Sequence, residues 1–355
     1  MHLLDLEVEP TRRETWRSDI GESICIEISS RAACSWRTAG LNLSQWKLEE
    51  LPQFLKKLRA SDEIAVEITG NTRLFYDAVV EHVARVVVVD TNQFRVICQS
   101  VHKTDPHDAR ALALYLSKGL LPEVRMKSKQ HAHLAGLTQT RDTLVKQRSA
   151  LKNKINNLLS ARGLNLRKEA LSSEKKRAEI LSLPFDEMVL VQLRVIADQI
   201  RSLNKSITEL DETIAQASAE LEGHTSLTSI TGIGATTSAI LLSVIGDVND
   251  FPDEKRLASY FGIVPRVSNS NATERSGHIH KHGTKLGRTA LVQSALVAAH
   301  YSPYLKRFYE RVKAGRGAGK AIIALARKFL GIIYRTLKNK WVFEDFPNFV
   351  LAEGA

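Results

Sequence analysis

Cysteines and long apolar segments are scarce in this sequence, and each scarcity argues against a class of protein. Three cysteines occur among 355 residues, and the spacing of Cys25, Cys34 and Cys98 fits neither a zinc site nor a disulfide framework. We therefore expect reduced thiols in a cytoplasmic protein. No apolar run is long enough to span a membrane, and the charged residues 1–19 lack the apolar core of a secretory signal. We expect neither a membrane protein nor a disulfide-stabilised secreted domain.

A nucleotide-binding phosphate loop is also missing. Gly315–Lys320 is rich in glycine and ends in lysine, but no Ser or Thr follows the lysine and no strand pattern precedes the segment. We therefore do not interpret this segment as a phosphate loop.

Positive charge exceeds negative charge, and its placement is uneven. The 50 Lys and Arg residues outnumber the 39 Asp and Glu residues, which gives a formal net charge of +11. Acidic residues are frequent in the first hundred positions, whereas Lys and Arg are concentrated in residues 125–180 and 305–340. Such concentrations favour a polyanionic partner, although solvated basic surfaces also occur in proteins without one.

Residues 21–127 alternate between strand and helix patterns and are expected to form one domain, after a polar extension at 1–20. The predicted strands are 23–29, 31–38, 41–46, 63–68, 85–90 and 121–126, and the predicted helices are 47–59, 74–83 and 105–116. The continuous β-branched run Arg85–Asp90 is typical of a parallel strand that is covered on both faces. The order of elements predicts an α/β fold with a mixed sheet flanked by helices.

Residues 128–223 carry a heptad pattern. From Leu193 to Leu221 apolar residues recur at steps of three and four, and a second apolar series runs through 131–162. Two long helices joined by a basic segment imply either an antiparallel hairpin within the chain or a seam between chains, and the pattern leaves both open. We expect a coiled-coil stalk whose apolar positions serve packing, and a homo-oligomer, dimer or tetramer, assembled through it.

Residues 224–345 are predicted to form a helical domain, followed by a tail at 346–355. The segment Ile230–Ala235 and the helix pattern after it are similar to a helix-hairpin-helix, in which Gly232 and Gly234 would let the backbone approach a phosphate. Residues 268–282 are rich in Ser, Asn and His and are predicted to be a polar loop. Further helices are predicted at 252–261, 286–300 and 320–340.

Lys103–Ala109 contains two carboxylates, Asp105 and Asp108, three residues apart at the start of a helix. That spacing places both on one side of the first turn, where they could bind a hard divalent cation through oxygen ligands. The same two residues also fit a helix cap, because acidic side chains favour a helix N-terminus. Glu27 and Glu67 belong to predicted strands. In a sheet of this order the four acids converge at one edge, where their mutual repulsion favours a cation between them.

Two motifs in this region resemble those of a known family. Val66–Gly70 and Lys103–Ala109 are similar to the Glu-Ala-Thr-Gly and Lys-Thr-Asp-x-x-Asp-Ala motifs of the DEDD transposases of the insertion-sequence "one-ten" family and of its relative, the pilin-gene invertase. The likeness covers roughly residues 22–340. In the C-terminal half it includes Gly232–Ile245, Gly246, Asp247, Phe251, Pro252, Leu257–Tyr260, Gly262, Pro265, Gly277, Ile279, Lys281, Gly283, Arg288, Lys320, Ala321 and Ala326–Lys328.

The resemblance implies a RuvC-like, RNase-H-type domain, a coiled-coil stalk and a C-terminal helical transposase domain. It also implies a DNA transposase or site-specific recombinase that joins a DNA strand to a serine, assisted by Mg²⁺ at an acidic site completed between subunits. The implied partners are DNA, as element ends and as target, and a structured bridge RNA that guides the enzyme. The implied catalytic and metal-binding acids are Glu27, Glu67, Asp105 and Asp108.

The family's serine nucleophile corresponds to Ser270, counted from the Gly-x-x-Pro turn before it. Asn271 follows it where the family has glycine, so Ser268 and Ser276 remain alternative nucleophiles. A serine hydroxyl needs a base or a metal to activate it, and a covalent phosphoserine conserves bond energy for rejoining the strand.

Glu27 is a second difference from the family pattern, because the family has Asp on its first strand. The longer side chain still reaches a metal, but it reshapes the site by about one methylene. Asp5 is an alternative metal ligand. Asp90 either contacts the ligands without binding the metal itself or caps a turn.

Glycine turns and basic side chains are the expected nucleic-acid contacts, although each basic residue could also be merely solvated. The candidates are Gly232, Gly234, Lys281, Arg288, Lys320, Arg327 and Lys328. Two other functions remain consistent with the sequence. The acids alone could serve a metal-dependent nuclease of the junction-resolvase type, and Glu27 could mark an inactive nucleic-acid-binding remnant.

Overall fold

The computed structural model describes residues 23–28, 33–37, 44–46, 50–90, 94, 105–166, 170–270 and 273–343. The chain is mostly helical with few strands, and it divides into two compact units between Met126 and Lys127. We call these the N-terminal unit and the C-terminal unit. Glu27, Asp105 and Ser270 are described by their backbone positions, whereas Asp5 and Asn271 lie outside the described residues.

A mixed sheet forms the centre of the N-terminal unit, as the order of elements predicts. Its strands are β1 Ser23–Ile28, β2 Ala33–Arg37, β3 Ser44–Trp46, β4 Glu63–Glu67 and β5 Arg85–Val89, arranged in the order β3-β2-β1-β4-β5. The strands β1, β4 and β5 are mutually parallel, whereas β2 and β3 are antiparallel to their neighbours. The helices of this unit are α1 Leu51–Leu55, α2 Thr72–Val79 and α3 Asp105–Ser117.

Both faces of β4 and β5 are covered, which explains why residues 64–66 and 86–89 are continuously apolar. On one face Ile64 and Val66 pack with Phe54 of α1 and with Phe75 and Val79 of α2. On the other face, α3 is the cover: its residues Leu112, Ala113 and Leu116 pack with Ala65, Val87 and Val89.

Two predicted elements of the N-terminal unit differ from the structure. The predicted strand 121–126 is wrong: a single bridge joins Val89 to Glu123, and the Val124 N–H donates to the Val88 carbonyl at 2.7 Å. Pro122 lacks the N–H that a longer ladder would need. The predicted helix 47–59 is reduced in the described residues to α1, which begins with proline in its first turn.

Two long helices of the C-terminal unit run antiparallel within the chain. They are α4 Lys129–Ser160 and α6 Glu187–Ala219, joined through a 3-10 turn at Ala170–Ser172 and a short helix, α5 Glu174–Leu181. Arg141 lies opposite Asp211, and Arg148 donates to the Asn204 side-chain oxygen at 2.9 Å. Of the two arrangements that the heptads leave open, the chain itself therefore forms the antiparallel one.

The rest of the C-terminal unit is a helical domain with one hairpin. Its elements are α7 His224–Thr228, α8 Ala235–Ile245, a 3-10 turn Val248–Asp250, α9 Glu254–Tyr260, β6 Pro265–Ser270, β7 Thr273–Ile279, α10 Lys285–Tyr301, α11 Pro303–Arg316 and α12 Ala318–Lys338. Leu134 of α4 and Ile214 of α6 share one core with Leu241 and Phe329. The base of the helix pair is therefore part of this domain's core.

The predicted polar loop 268–282 is wrong over most of its length, because β6 and β7 pair there as an antiparallel hairpin. The prediction missed it because the segment contains few apolar residues, so the alternation that indicates a half-buried strand is absent. Within the described ranges, no helix is both long and apolar enough to cross a membrane.

Candidate functional site

Glu67 lies at the carboxyl end of β4, on the face that α3 covers. It is two residues beyond Ala65, whose side chain packs on that face, and alternate residues of a strand share a face. On the neighbouring strand Ile26 pairs with Val66, so the next residue, Glu27, continues the register beside Glu67. The sheet therefore places two of the four predicted acids side by side at one edge.

Asp108 belongs to the same face of the sheet. Helix α3 begins at Asp105 and packs against β1 and β4, and Asp108 lies one turn into it. The Asp108 side chain is only 3% exposed and is followed directly by the buried Ala109. A carboxylate that is removed from water in this way is costly unless a charge or hydrogen bonds compensate it.

Metal binding by these acids can be tested only in part. In the portion of the chain with described side chains, no three acidic, histidine or cysteine side chains are grouped as a metal site. Glu27 and Asp105, two of the four predicted ligands, are outside that search because only their backbone is described. The donor set, four carboxylates, fits a hard divalent cation. The metal ligands therefore stay a prediction.

Thr72 fixes the turn after Glu67, and the sequence reasoning did not include it. Its hydroxyl donates to the Glu67 carbonyl at 2.6 Å, and it accepts a hydrogen bond from the Thr69 N–H at 2.6 Å. A threonine at the first position of a helix that follows a Thr-Gly turn is the signal that could have identified it. Asp90 follows Val89, the partner of Glu67 on β5, and so lies at the same edge of the sheet.

Three serines lie at different levels of the β6–β7 hairpin. Ser270 pairs with Thr273, the last pair before the turn, while Ser268 pairs with Arg275. The third, Ser276, lies opposite Val267 and nearer the base of the hairpin. The register therefore separates the predicted nucleophile from its two alternatives along the strands.

The two glycines of the helix-hairpin-helix-like segment have different surroundings. Gly232 has φ of 102°, and a Cβ atom there would lie 2.9 Å from the Ala298 nitrogen and the Ser294 carbonyl oxygen of α10. Close packing therefore explains that glycine. Gly234 caps the start of α8, and a Cβ atom there would meet nothing within 4 Å. A nucleic-acid contact at either glycine stays a prediction.

The predicted basic contacts also divide into exposed and packed side chains. Lys281, Lys320 and Arg327 are exposed. The Lys328 ammonium, by contrast, lies 4.6 Å from the Tyr304 ring and 4.5 Å from that of Phe308, a cation–π arrangement that joins α12 to α11.

Lys127 was not predicted as a notable residue. Its ammonium group donates to the Ser243 carbonyl near the end of α8 at 2.7 Å and lies 5.9 Å from the Tyr260 ring. Burial lowers the pKa of Lys127 to about 8. A lysine at a helix C-terminus complements the helix dipole, so this contact fastens the start of α4 to α8.

Comparison with known proteins gives matches in both units. A family model described as "Transposase", for DEDD transposases of the IS110 type, matches residues 36–162, and one described as "Transposase IS116/IS110/IS902 family" matches residues 224–310. The pilin gene-inverting protein of Moraxella lacunata is 31% identical over 249 residues, which are 68% of this chain and 68% of that protein.

Two further relatives carry transposase names. The "Transposase for insertion sequence element IS1111A" of Coxiella burnetii is 28% identical over 67% of this chain and 68% of its own length. The "Probable family 20 transposase" of Pseudomonas aeruginosa is 26% identical over 67% of this chain and 73% of its own length. A likeness of this extent places the chain in the IS116/IS110/IS902 family of transposases, which are DNA-cutting enzymes.

Proposed function

We propose that this transposase cuts and rejoins DNA through a covalent intermediate on Ser270, with Glu27, Glu67, Asp105 and Asp108 holding Mg²⁺. The metal-binding part of this proposal is supported by the position of two acids. Glu67 lies at the end of β4, and the buried Asp108 lies on the helix that covers the same face of the sheet. The serine part is supported by the family and by the register of Ser270 at the end of the hairpin.

The proposed reaction is two successive transfers of one phosphoryl group. The Ser270 oxygen attacks a phosphodiester, an oxygen–phosphorus bond forms, and the bond to one strand oxygen breaks. The serine proton passes to a base, and the departing strand ends as a hydroxyl. A hydroxyl of the incoming strand then attacks the phosphoserine, which restores the serine and reseals DNA. Mg²⁺ bound at the acids would neutralise charge on the phosphate.

The serine is tested by trapping the covalent protein–DNA product. We expect Ser270→Ala to abolish the adduct and strand transfer while nucleic-acid binding is retained. Ser268→Ala is the matched control on the same hairpin and should keep both. Loss of the adduct in Ser268→Ala or Ser276→Ala alone would reassign the nucleophile. Full activity of Ser270→Ala would refute the serine mechanism.

A metal-dependent nuclease that uses only the acids is the second candidate, favoured by the arrangement of Glu67 and Asp108. It forms no covalent adduct with any serine, so the trapping experiment separates it from the first.

Because Glu27 stands in place of Asp, Glu27→Asp should keep or raise strand transfer if the site is sound. No strand transfer in either form would favour an inactive nucleic-acid-binding remnant.

A bridge RNA is proposed as guide and DNA as substrate. The support is the family together with exposed basic side chains such as Lys320 and Arg327. Sequencing the RNA that copurifies with the full chain tests it. A discrete structured species is expected, and heterogeneous cellular RNA would argue against a guide.

Assembly into a dimer or tetramer through the helix pair is also proposed. Facing α4, the buried residues of α6 include Leu193, Ile200, Ile207 and Ile214, at seven-residue steps. On another side of α6, Met188 is 82% exposed and Val195 is 57% exposed, although both are apolar. Molar mass by light scattering should fall in Met188→Glu/Val195→Glu and stay unchanged in the control Thr208→Glu, which changes an exposed residue on a different side of α6. An unchanged mass in the double variant would exclude this surface.

A further inference from the structure

Four cationic or protonatable side chains meet at the base of the β6–β7 hairpin. Arg266 comes from β6, His280 and His282 from the segment after β7, and Arg288 from the first turn of α10. The imidazole rings of His280 and His282 have centroids 5.1 Å apart. Arg266 and Arg288 are close enough to His280 to act on its charge. We call these four residues the hairpin-base cluster.

The backbone beneath this cluster is held rigidly. A Cβ atom at Gly283 would collide with the Tyr260 carbonyl oxygen, so two backbone segments touch directly there. The Lys281 N–H donates to the Gly262 carbonyl at 3.2 Å, and the Arg288 guanidinium donates to the Gly283 carbonyl. Side chains mounted on such a base keep their spacing, which favours binding of a ligand of fixed size.

No carboxylate balances the cluster in the part of the chain that the structure describes. None of the four side chains forms an ion pair with Asp or Glu there. Burial, followed by the charges of His282, Arg266 and Arg288, lowers the pKa of His280. The positive charges of Arg266 and Arg288 therefore oppose protonation of His280, and an anion placed among these side chains would relieve that opposition.

We propose that the hairpin-base cluster binds a backbone phosphate of a nucleic-acid strand and that His280 takes up a proton when it does. A phosphodiester is negatively charged at every physiological pH, so its presence favours the imidazolium form of His280. Affinity then rises as the pH falls, because binding is linked to proton uptake. This inference rests on the proposed function only in requiring that the chain bind nucleic acid.

The location gives the cluster a positioning role. Ser270 lies five residues beyond the hairpin base, which is about 17 Å along an antiparallel strand. A B-form duplex rises by 3.4 Å per nucleotide along its axis, so a phosphate bound by the cluster would lie about five nucleotides from one at Ser270 if the hairpin runs along that axis. The cluster would thus hold a strand in register without touching the reacting phosphate.

The test measures affinity of the full chain at pH 6 and at pH 8, at constant ionic strength, for a DNA duplex and separately for an RNA hairpin. Wild-type binding should be about tenfold tighter at pH 6, as expected for an average uptake of about half a proton across the two pH units. His280→Gln/His282→Gln should reduce that ratio to less than about twofold. His300→Gln, which removes an exposed histidine from α10 outside the cluster, should keep the full ratio.

Arg266→Gln is a second variant that does not depend on titration. It should weaken binding at both pH values while the ratio between them persists, because the imidazoles remain. A loss confined to the DNA or to the RNA would identify the strand that supplies the phosphate. Equal pH dependence in wild type and the double histidine variant would overturn the inference while leaving the proposed function intact. Absence of binding to either nucleic acid at either pH would overturn both.

Discussion

The candidate acids of the N-terminal unit and the candidate cations of the C-terminal unit are held in place by different means. Glu67 and Asp108 are positioned by a sheet whose faces are both covered, and the side chain of Asp108 is almost completely buried. Lys281 and His282, by contrast, are exposed on a hairpin base that direct backbone contacts support. Acids that bind a small ion need enclosure, whereas cations that bind a strand must reach outward.

This difference has a consequence for substitutions. Burying a carboxylate is costly, so replacing an enclosed acid by its neutral amide of the same shape should leave the fold intact. A residue that supports an exposed surface contributes to the fold itself, so its removal should lower the free energy of unfolding and not only the activity.

The largest expected effect is loss of strand transfer after Glu67→Gln or Asp108→Asn. We expect at least about a thousandfold decrease, equal to about 4 kcal/mol in activation free energy, with the melting temperature kept. Asp77→Asn, which affects a partly exposed acid paired with Arg73 on α2, should change the rate by less than about twofold. If Asp108→Asn instead costs about 1 kcal/mol of stability and spares activity, Asp108 is a helix cap.

Gly232→Ala tests the C-terminal unit, where close backbone contacts support the fold. The added Cβ atom would lie 2.9 Å from two backbone atoms of α10, at a φ of 102°, so we expect a loss of about 3 kcal/mol in unfolding free energy. Gly234→Ala is the matched control two residues away, in open space, and should cost no more than about 1 kcal/mol, because alanine is a poorer N-cap than glycine. Denaturant unfolding measures both, and equal stabilities would show that Gly232 is not required for packing.

Lys127→Met tests whether the Lys127 ammonium group is desolvated in the folded chain. The folded pKa of Lys127 is about 8, below the unfolded value, so the unfolded chain binds more protons between about pH 8 and pH 10.4. Wild-type unfolding free energy should therefore rise across that window by about 2–3 kcal/mol relative to Lys127→Met. Urea unfolding at pH 7.5 and pH 10 measures it. Parallel curves for the two proteins would show that the ammonium is not desolvated.

The smallest expected effect concerns the antiparallel helix pair. Arg141 forms two hydrogen bonds with Asp211 across α4 and α6, and Arg141→Ala should cost about 1 kcal/mol. Lys146→Ala removes an exposed pair within α4 alone and should cost about 0.3 kcal/mol. Thermal unfolding in low and high salt compares them. A cost for Lys146→Ala as large as that for Arg141→Ala would contradict a specific link between the helices.

Regular, covered elements were predictable from the sequence, whereas uncovered ones were not. The β-branched run Arg85–Asp90 predicted a parallel strand, and β5 confirms it, because burial on both faces selects such residues. The sequence predicts a loop over most of the hairpin at 265–279, because a strand pair with few apolar residues shows no periodicity. The hairpin-base cluster joins residues 22 positions apart, from Arg266 to Arg288, and local patterns do not report such proximity.

At the base of the helix pair, α4 and α6 are packed into the core of the helical domain. We call this pair of helices the arm. Leu134 and Ile214 belong to the same packed core as α8 and α12, so the arm moves only with that domain. A helix of 32 residues is about 48 Å long, so a tilt of about 10° at its base displaces the far end by about 8 Å. Small rearrangements of the domain that carries the hairpin are therefore magnified at the far end of the arm.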